Sequence, residues 1–123
     1  MRKIVLLIDD DYEDQDFFIS TLSEYNESIE VVSAFNGSEA LHKLKTIKPS
    51  CIFLDINMPS INGIEVLRKL KENENTQHIP VYMYSTSDGY NSKPIAIKLG
   101  AEKYFRKPET PEKLKRIFKE AFK

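Results

Sequence analysis

The sequence predicts an α/β fold, a five-stranded parallel sheet with helices on both faces. Three observations predict it. Short apolar runs alternate five times with stretches of helical periodicity. The first, third and fourth runs are almost continuously apolar, as strands covered on both faces must be. The segments between runs are helix-length, which is what crossovers between parallel strands require.

The first run, Ile4–Ile8, is a buried strand. Its basic flank imitates a signal peptide, but five apolar residues ending in three aspartates are too few. A helix from Asp14 to about Tyr25 aligns Phe18, Leu22 and Tyr25 on one stripe. Ile29–Phe35 is a weaker strand carrying Val31, Val32 and Phe35, and Gly37 to about Ile47 is a helix with Ala40, Leu41, Leu44 and Ile47 on one side. Cys51–Leu54 is the third strand, followed by a helix from Gly63 to about Asn73 with Val66, Leu67 and Leu70 inward. Val81–Tyr84 is the fourth strand. Its helix is confined by Pro94 to begin near Ser92, and Gly100 ends it after Leu99. Lys103–Phe105 is a short fifth strand. The last helix has Thr110 as cap, Pro111 in its first turn, and Leu114, Ile117, Phe118 and Ala121 as its apolar stripe.

Composition narrows the function classes. With 123 residues the chain is one domain of ordinary size, without repeats or linkers. Eighteen basic and nineteen acidic residues give a net charge of −1, so no strong positive field draws nucleic acid. Direct nucleic-acid binding and membrane insertion are not expected, and cytoplasmic residence is. Cys51, the single cysteine, is expected as a small core residue. His42 and His78 lack cysteine companions, which argues against zinc.

Open parallel sheets bind ligands beyond the carboxyl ends of their strands. There the sequence places Asp9, Asp10 and Asp11 after the first strand and Asp55 after the third. Ser85 and Thr86 follow the fourth strand, and Lys107 and Pro108 the fifth. Polar residues at strand ends are commonly just the chain returning to water, and Asp11 fits that description. Several carboxylates gathered at an apolar edge repel one another, however, and a cation would neutralise them. Mg²⁺ suits such hard oxygen ligands. The chemistry such a site supports is phosphoryl transfer onto a carboxylate, with lysine and hydroxyl stabilising the transferred charge. A carboxylate with an ordinary pKa of about 4 needs no general base.

With these residues placed, the chain resembles a response-regulator receiver domain of two-component signalling. The likeness runs through "IVLLIDDD", "IFLDINMPSINGIEVL", "VYMYSTS" and "LGAEKYFRKP", and the run Asp55 to Gly63 is its most specific part. The resemblance implies a flavodoxin-like (βα)5 fold with strand order 2-1-3-4-5. It implies Asp55 as phosphoacceptor, and Asp9 and Asp10 as the acidic pair holding Mg²⁺, with Asp10 the more direct ligand. The backbone carbonyl of Asn57 would complete the metal sphere. Ser85 corresponds to the switch hydroxyl, Lys107 to the lysine that pairs with the phosphoryl group, and Tyr104 to an aromatic that swings inward when Ser85 moves. Lys107–Pro108 corresponds to a cis peptide. Ser87 and Asn57 lie where members of the family differ in autodephosphorylation, and Met58 and Pro59 shape the loop.

The implied function is a phosphorylation switch. A histidine kinase or histidine phosphotransfer protein donates the phosphoryl group. Its negative charges draw in Ser85 and Lys107, and the fourth- and fifth-strand face changes its affinity for a downstream protein. Besides Ser87 and Asn57, one departure and the chain's extent bear on this. The polar stretch "SDGYNSKP" places Pro94 early in the fourth helix, which bears on the partner surface. The chain also closes on its fifth helix, so residues 1–123 are expected to be one receiver domain without an output domain. A Mg²⁺-dependent aspartyl hydrolase would need a second carboxylate where Asn57 stands, plus a capping insertion. A flavin protein would need a Gly/Ser/Thr-rich cradle where the aspartates are. A receiver-shaped interaction module indifferent to phosphorylation is the remaining alternative. The chain is thus not expected to be a conventional enzyme, beyond assisting its own phosphorylation and dephosphorylation.

Overall fold

The computed structural model describes residues 3–58, 62–87 and 89–122. In chain order its elements are β1 (Lys3–Ile8), α1 (Tyr12–Tyr25), β2 (Ile29–Ala34), α2 (Gly37–Lys43), β3 (Cys51–Leu54), α3 (Gly63–Glu72), β4 (Val81–Ser85), α4 (Ser92–Leu99), β5 (Lys103–Arg106) and α5 (Pro111–Ala121). All strand pairs are parallel, and the order across the sheet is β2-β1-β3-β4-β5.

Strand alternation divides the core into two layers. Leu6 and Ile8 of β1, Ile52 and Leu54 of β3, and Val81 and Met83 of β4 pack against Ala40 of α2, Val66, Leu67 and Leu70 of α3, and Ala96 of α4. The intervening residues Val5, Leu7, Cys51, Phe53 and Tyr84 face Phe18 and Leu22 of α1 and Leu114 and Phe118 of α5. Phe18 centres this second layer, edge-on to Phe53 at 5.0 Å and to Phe118 at 5.1 Å between ring centroids. Cys51 lies in the same layer, and burial pushes its thiol up to about 12, so it behaves as a small apolar residue.

Helix ends follow local chemistry. α1 begins two residues before the expected Asp14, because Asp11 is its N-cap and accepts hydrogen bonds from the amides of Glu13 and Asp14. The residue read as a solvated bystander therefore defines the start of a helix. α2 ends at Lys43, short of Ile47, because the amides of Lys45 and Thr46 tighten onto the carbonyls of His42 and Lys43 three residues back. Ile47 still packs on the core, which is why the periodicity reads through that turn. α4 spans Ser92–Leu99 as expected and closes on Gly100, whose φ of +113° is the left-handed cap conformation. α5 carries the Thr110 cap and Pro111 as expected. Among the described helices none is long and apolar enough to cross a membrane.

Candidate functional site

Register brings the site together. Ile8 stands opposite both Ala34 and Leu54, so the residues just beyond β1 and β3 emerge side by side. The ladder continues past the strands: Asp9 N–H donates to Ala34 O (3.0 Å), Asp55 N–H to Ile8 O (2.9 Å), and Lys107 N–H to Ser85 O (2.7 Å). These backbone bonds hold both aspartates and the lysine at the carboxyl edge of the sheet, however mobile their side chains are.

Oxygens of Asp9, Asp10 and Asp55 lie within 4.8 Å of one another. Asp9 is fully buried and Asp55 is 4% exposed, while Asp10 is half-buried. Lys107 enters from the far side of the sheet with its side chain 8% exposed. Its ammonium Nζ is 2.7 Å from Asp9 Oδ2, 2.7 Å from Asp14 Oδ2 and 3.6 Å from Asp55 Oδ2, and lies 5.6 Å from the centre of the Tyr84 ring. The bond to Asp14 is well directed. The approach to Asp9 Oδ2 is close but poorly aligned, so that buried oxygen is charge-paired yet lacks a hydrogen-bond donor.

The electrostatics are lopsided. Three carboxylates (Asp9, Asp14, Asp55) lie within 4 Å of one ammonium, and Asp10 adjoins two of them. Burial pushes the Asp55 carboxyl up to about 6, against the pull of Lys107 and with Asp9 adding repulsion. Asp9 is raised for the same leading reason, opposed by its contact with Lys107. Asp55 is thus not the ordinary carboxylate expected from its sequence, because only the fold shows how completely it is desolvated. Burial pulls the Lys107 ammonium down, but its hydrogen bond to Asp14 and its close charge pairing with Asp9 outweigh that and hold it above the usual lysine range. An oxygen cluster with excess negative charge and one buried oxygen short of a donor fits a hard divalent cation. Asp9, Asp10 and Asp55 are the side chains that could hold it.

Around this cluster, Ser85 is fully buried at the end of β4. Its Oγ accepts long hydrogen bonds, each 3.4 Å, from Asn57 Nδ2 and the Ser87 amide. Asn57 also donates its amide to Asp55 Oδ1 at 3.3 Å. Tyr104 is half-buried against the core, and its hydroxyl meets Ser87 Oγ at 2.8 Å and donates to Ser87 O at 3.2 Å. This is a single position of the ring. Met58 is buried in the core, while Pro59 lies outside the described residues.

One expectation is corrected. There is no cis peptide bond among the described residues, so Lys107–Pro108 is trans. Trans is favoured by about 0.5–1 kcal/mol even before proline, and in this form the Lys107 amide and ammonium already reach Ser85 and the carboxylates.

Two contributors are not visible in the sequence, and the steric role of a third residue, Gly63, is not visible there either. Asp14 read only as the start of a helix. Gln15 is buried, and its Nε2 donates to Asp9 O (3.1 Å) and Ala34 O (3.2 Å), tying the ends of β1 and β2. Gly63 is the third: a Cβ there would sit 2.1 Å from the Asp55 carbonyl oxygen, so the start of α3 can press against the backbone of Asp55 and Ile56 only as glycine. The signal for it was the Asn-Gly pair ending the run from Asp55.

A parallel sheet with paired acids after β1, a buried aspartate after β3, a hydroxyl after β4 and a lysine after β5 defines a class. Residues 5–119 match the response regulator receiver domain family, and the chain belongs to it. It is 34% identical over 117 residues to PhoP of Bacillus subtilis (strain 168), the alkaline phosphatase synthesis transcriptional regulatory protein, covering 93% of this chain and 46% of that protein. The chain spans less than half the length of the first curated relatives it matches. Among solved structures, the phosphorylated cyanobacterial phytochrome response regulator RcpA superposes with a TM-score of 0.88 at 27% identity, over 98% of this chain and 91% of that one. The Mn²⁺-bound form of response regulator Rcp1 gives 0.83 at 25% identity, over 94% and 88%.

Proposed function

We propose that this receiver accepts a phosphoryl group on Asp55 from a phosphohistidine of a histidine kinase or histidine phosphotransfer protein, and that the product alters its affinity for a downstream protein. The observation that carries this is the Asp55 carboxylate, buried at the sheet edge, beside two further aspartates and 3.6 Å from the Lys107 ammonium. Phosphorylated RcpA, a structural neighbour, supports the same reading.

Asp55 supplies the attacking oxygen. Its O–P bond forms as the donor's P–N bond breaks, and the P–N electron pair leaves on the imidazole, whose other nitrogen carries the proton. Lys107 faces the phosphoryl oxygens as the phosphoryl group moves onto Asp55, and the Ser85 hydroxyl, which accepts just two long contacts among the described residues, is free to turn toward them. Asp9, Asp10 and Asp55, with the Asn57 backbone carbonyl, would hold Mg²⁺, and the neighbour Rcp1 binds Mn²⁺. Bound there, Mg²⁺ would neutralise the carboxylates and the incoming phosphoryl charge. If Ser85 turns, Ser87 follows on the same loop, and the Tyr104–Ser87 contact is the one to break, carrying the signal to the β4–β5 face. Ser87 and Asn57 flank the acceptor where they can admit or orient the water that ends the signal. The protein is thus a switch that assists its own phosphorylation rather than a conventional enzyme. It acts in the cytoplasm on protein partners, and this receiver domain makes no contact with nucleic acid or membrane.

Incubation with Mg²⁺ and phosphoramidate tests this. The intact mass is expected to rise by one phosphoryl group, and the Asp55→Asn variant to show no rise. No gain in the parent protein, or an equal gain in the variant, overturns the assignment.

A further inference from the structure

The ammonium assigned to the phosphoryl group is held elsewhere before any phosphoryl group arrives. Among the described residues its one well-directed side-chain bond goes to Asp14 Oδ2 at 2.7 Å; Asp9 Oδ2 is equally close at 2.7 Å but out of alignment, and Asp55 Oδ2, at 3.6 Å, is beyond hydrogen-bond range. Asp14 belongs to neither the sheet edge nor the cation-binding trio. It sits in the first turn of α1, with its side chain 33% exposed. That location suits a carboxylate that must lose its partner and stay charged. Water reaches it, and the helix N-terminus favours negative charge. Asp9 and Asp55, by contrast, are buried and cannot be left bare at so small a cost.

Resting on the phosphoacceptor reading above, we propose that Asp14 is a positioning residue that parks Lys107 in the resting state. Phosphorylation must therefore break the Lys107–Asp14 pair before the ammonium can serve the phosphoryl group. Asp14 then acts as a counterweight. It lowers the affinity of the site for a phosphoryl group and makes the resting state more populated than the acceptor site alone would dictate. A carboxylate so close to the lysine is not required by the transfer chemistry, which uses Asp55, the acidic pair, the hydroxyl and the ammonium. Its effect is on the equilibrium between two positions of one side chain.

The test measures affinity for fluoroberyllate, a phosphoryl mimic, in the presence of Mg²⁺. A partly exposed ion pair of this kind corresponds to a change of roughly two- to fivefold. Asp14→Asn is expected to bind the mimic more tightly by that factor, and Asp14→Glu, which keeps the charge, to restore the parent affinity. In a Lys107→Met background Asp14→Asn is expected to change nothing. An equal gain in that background would mean that Asp14 acts as a bulk negative charge, and would overturn the proposal. So would unchanged or weaker binding by Asp14→Asn while the parent protein binds normally. Failure of the parent protein itself to bind the mimic would instead overturn the phosphoacceptor reading, and this proposal with it.

Discussion

Asp55 shows how far a residue's chemistry depends on its burial. Its carboxyl is lifted from 3.8 to about 6 chiefly by desolvation. The folded state therefore holds its proton more tightly than the unfolded chain does. As pH rises from about 4 through about 6 the unfolded chain releases its proton first, and stability falls; above that it is level. Without divalent cations, Asp55→Asn is expected to be more stable than the parent at pH 8 by at most on the order of 3 kcal/mol. The advantage should fade as pH drops toward 4, which urea denaturation across that range would measure. The same burial predicts an acid limb near pH 6 in the rate of phosphorylation by a small donor, moving lower as Mg²⁺ is raised. The sequence marked Asp55, Asp9, Asp10, Ser85 and Lys107 correctly as residues that meet at one edge. It could not mark Asp14, because a carboxylate in the first turn of a helix is ordinary capping chemistry until a lysine from the other end of the chain is seen to reach it.

At the scale of elements, the start of α3 packs directly against the backbone at the end of β3. Replacing the first residue of a helix from glycine to alanine normally helps, since alanine is the better helix former. Here the added methyl would strike the backbone carbonyl of Asp55. Gly63→Ala is expected to lose at least roughly 1–3 kcal/mol, the cost of overpacking against atoms that cannot step aside. A lowered urea midpoint would show it, and an unchanged or raised one would contradict it. Helix and strand identities were legible because each element is amphipathic or continuously apolar at its own period. Their ends were legible where a capping residue stands in the sequence, as at Thr110 and Gly100. They were misjudged where the end depends on turn geometry, as at the close of α2, or where the cap was one of three consecutive aspartates, as at Asp11.

For the whole molecule, the fold gathers four carboxylates near one sheet edge, three of them around one ammonium, and relies on its hydrophobic layers to hold them there. A ligand that binds only this folded arrangement stabilises it by mass action, by about 2.7 kcal/mol at a hundredfold excess over Kd. Mg²⁺ is thus expected to raise the thermal midpoint relative to EDTA, with Asp10→Asn losing most of the gain; an identical midpoint with and without Mg²⁺ would count against the cation site. The sequence by itself determined the alternation of strands and helices and the parallel sheet. It also determined which residue types stand at the strand ends, since periodicity and apolar runs are local properties of the chain. Resemblance added the strand order and the proposed residue roles. Only the tertiary structure decided the raised carboxyl of Asp55, the trans bond before Pro108, the glycine requirement at position 63 and the partner of Lys107. Each of these depends on which atoms from distant parts of the chain come within a few ångströms, and on how much water remains between them.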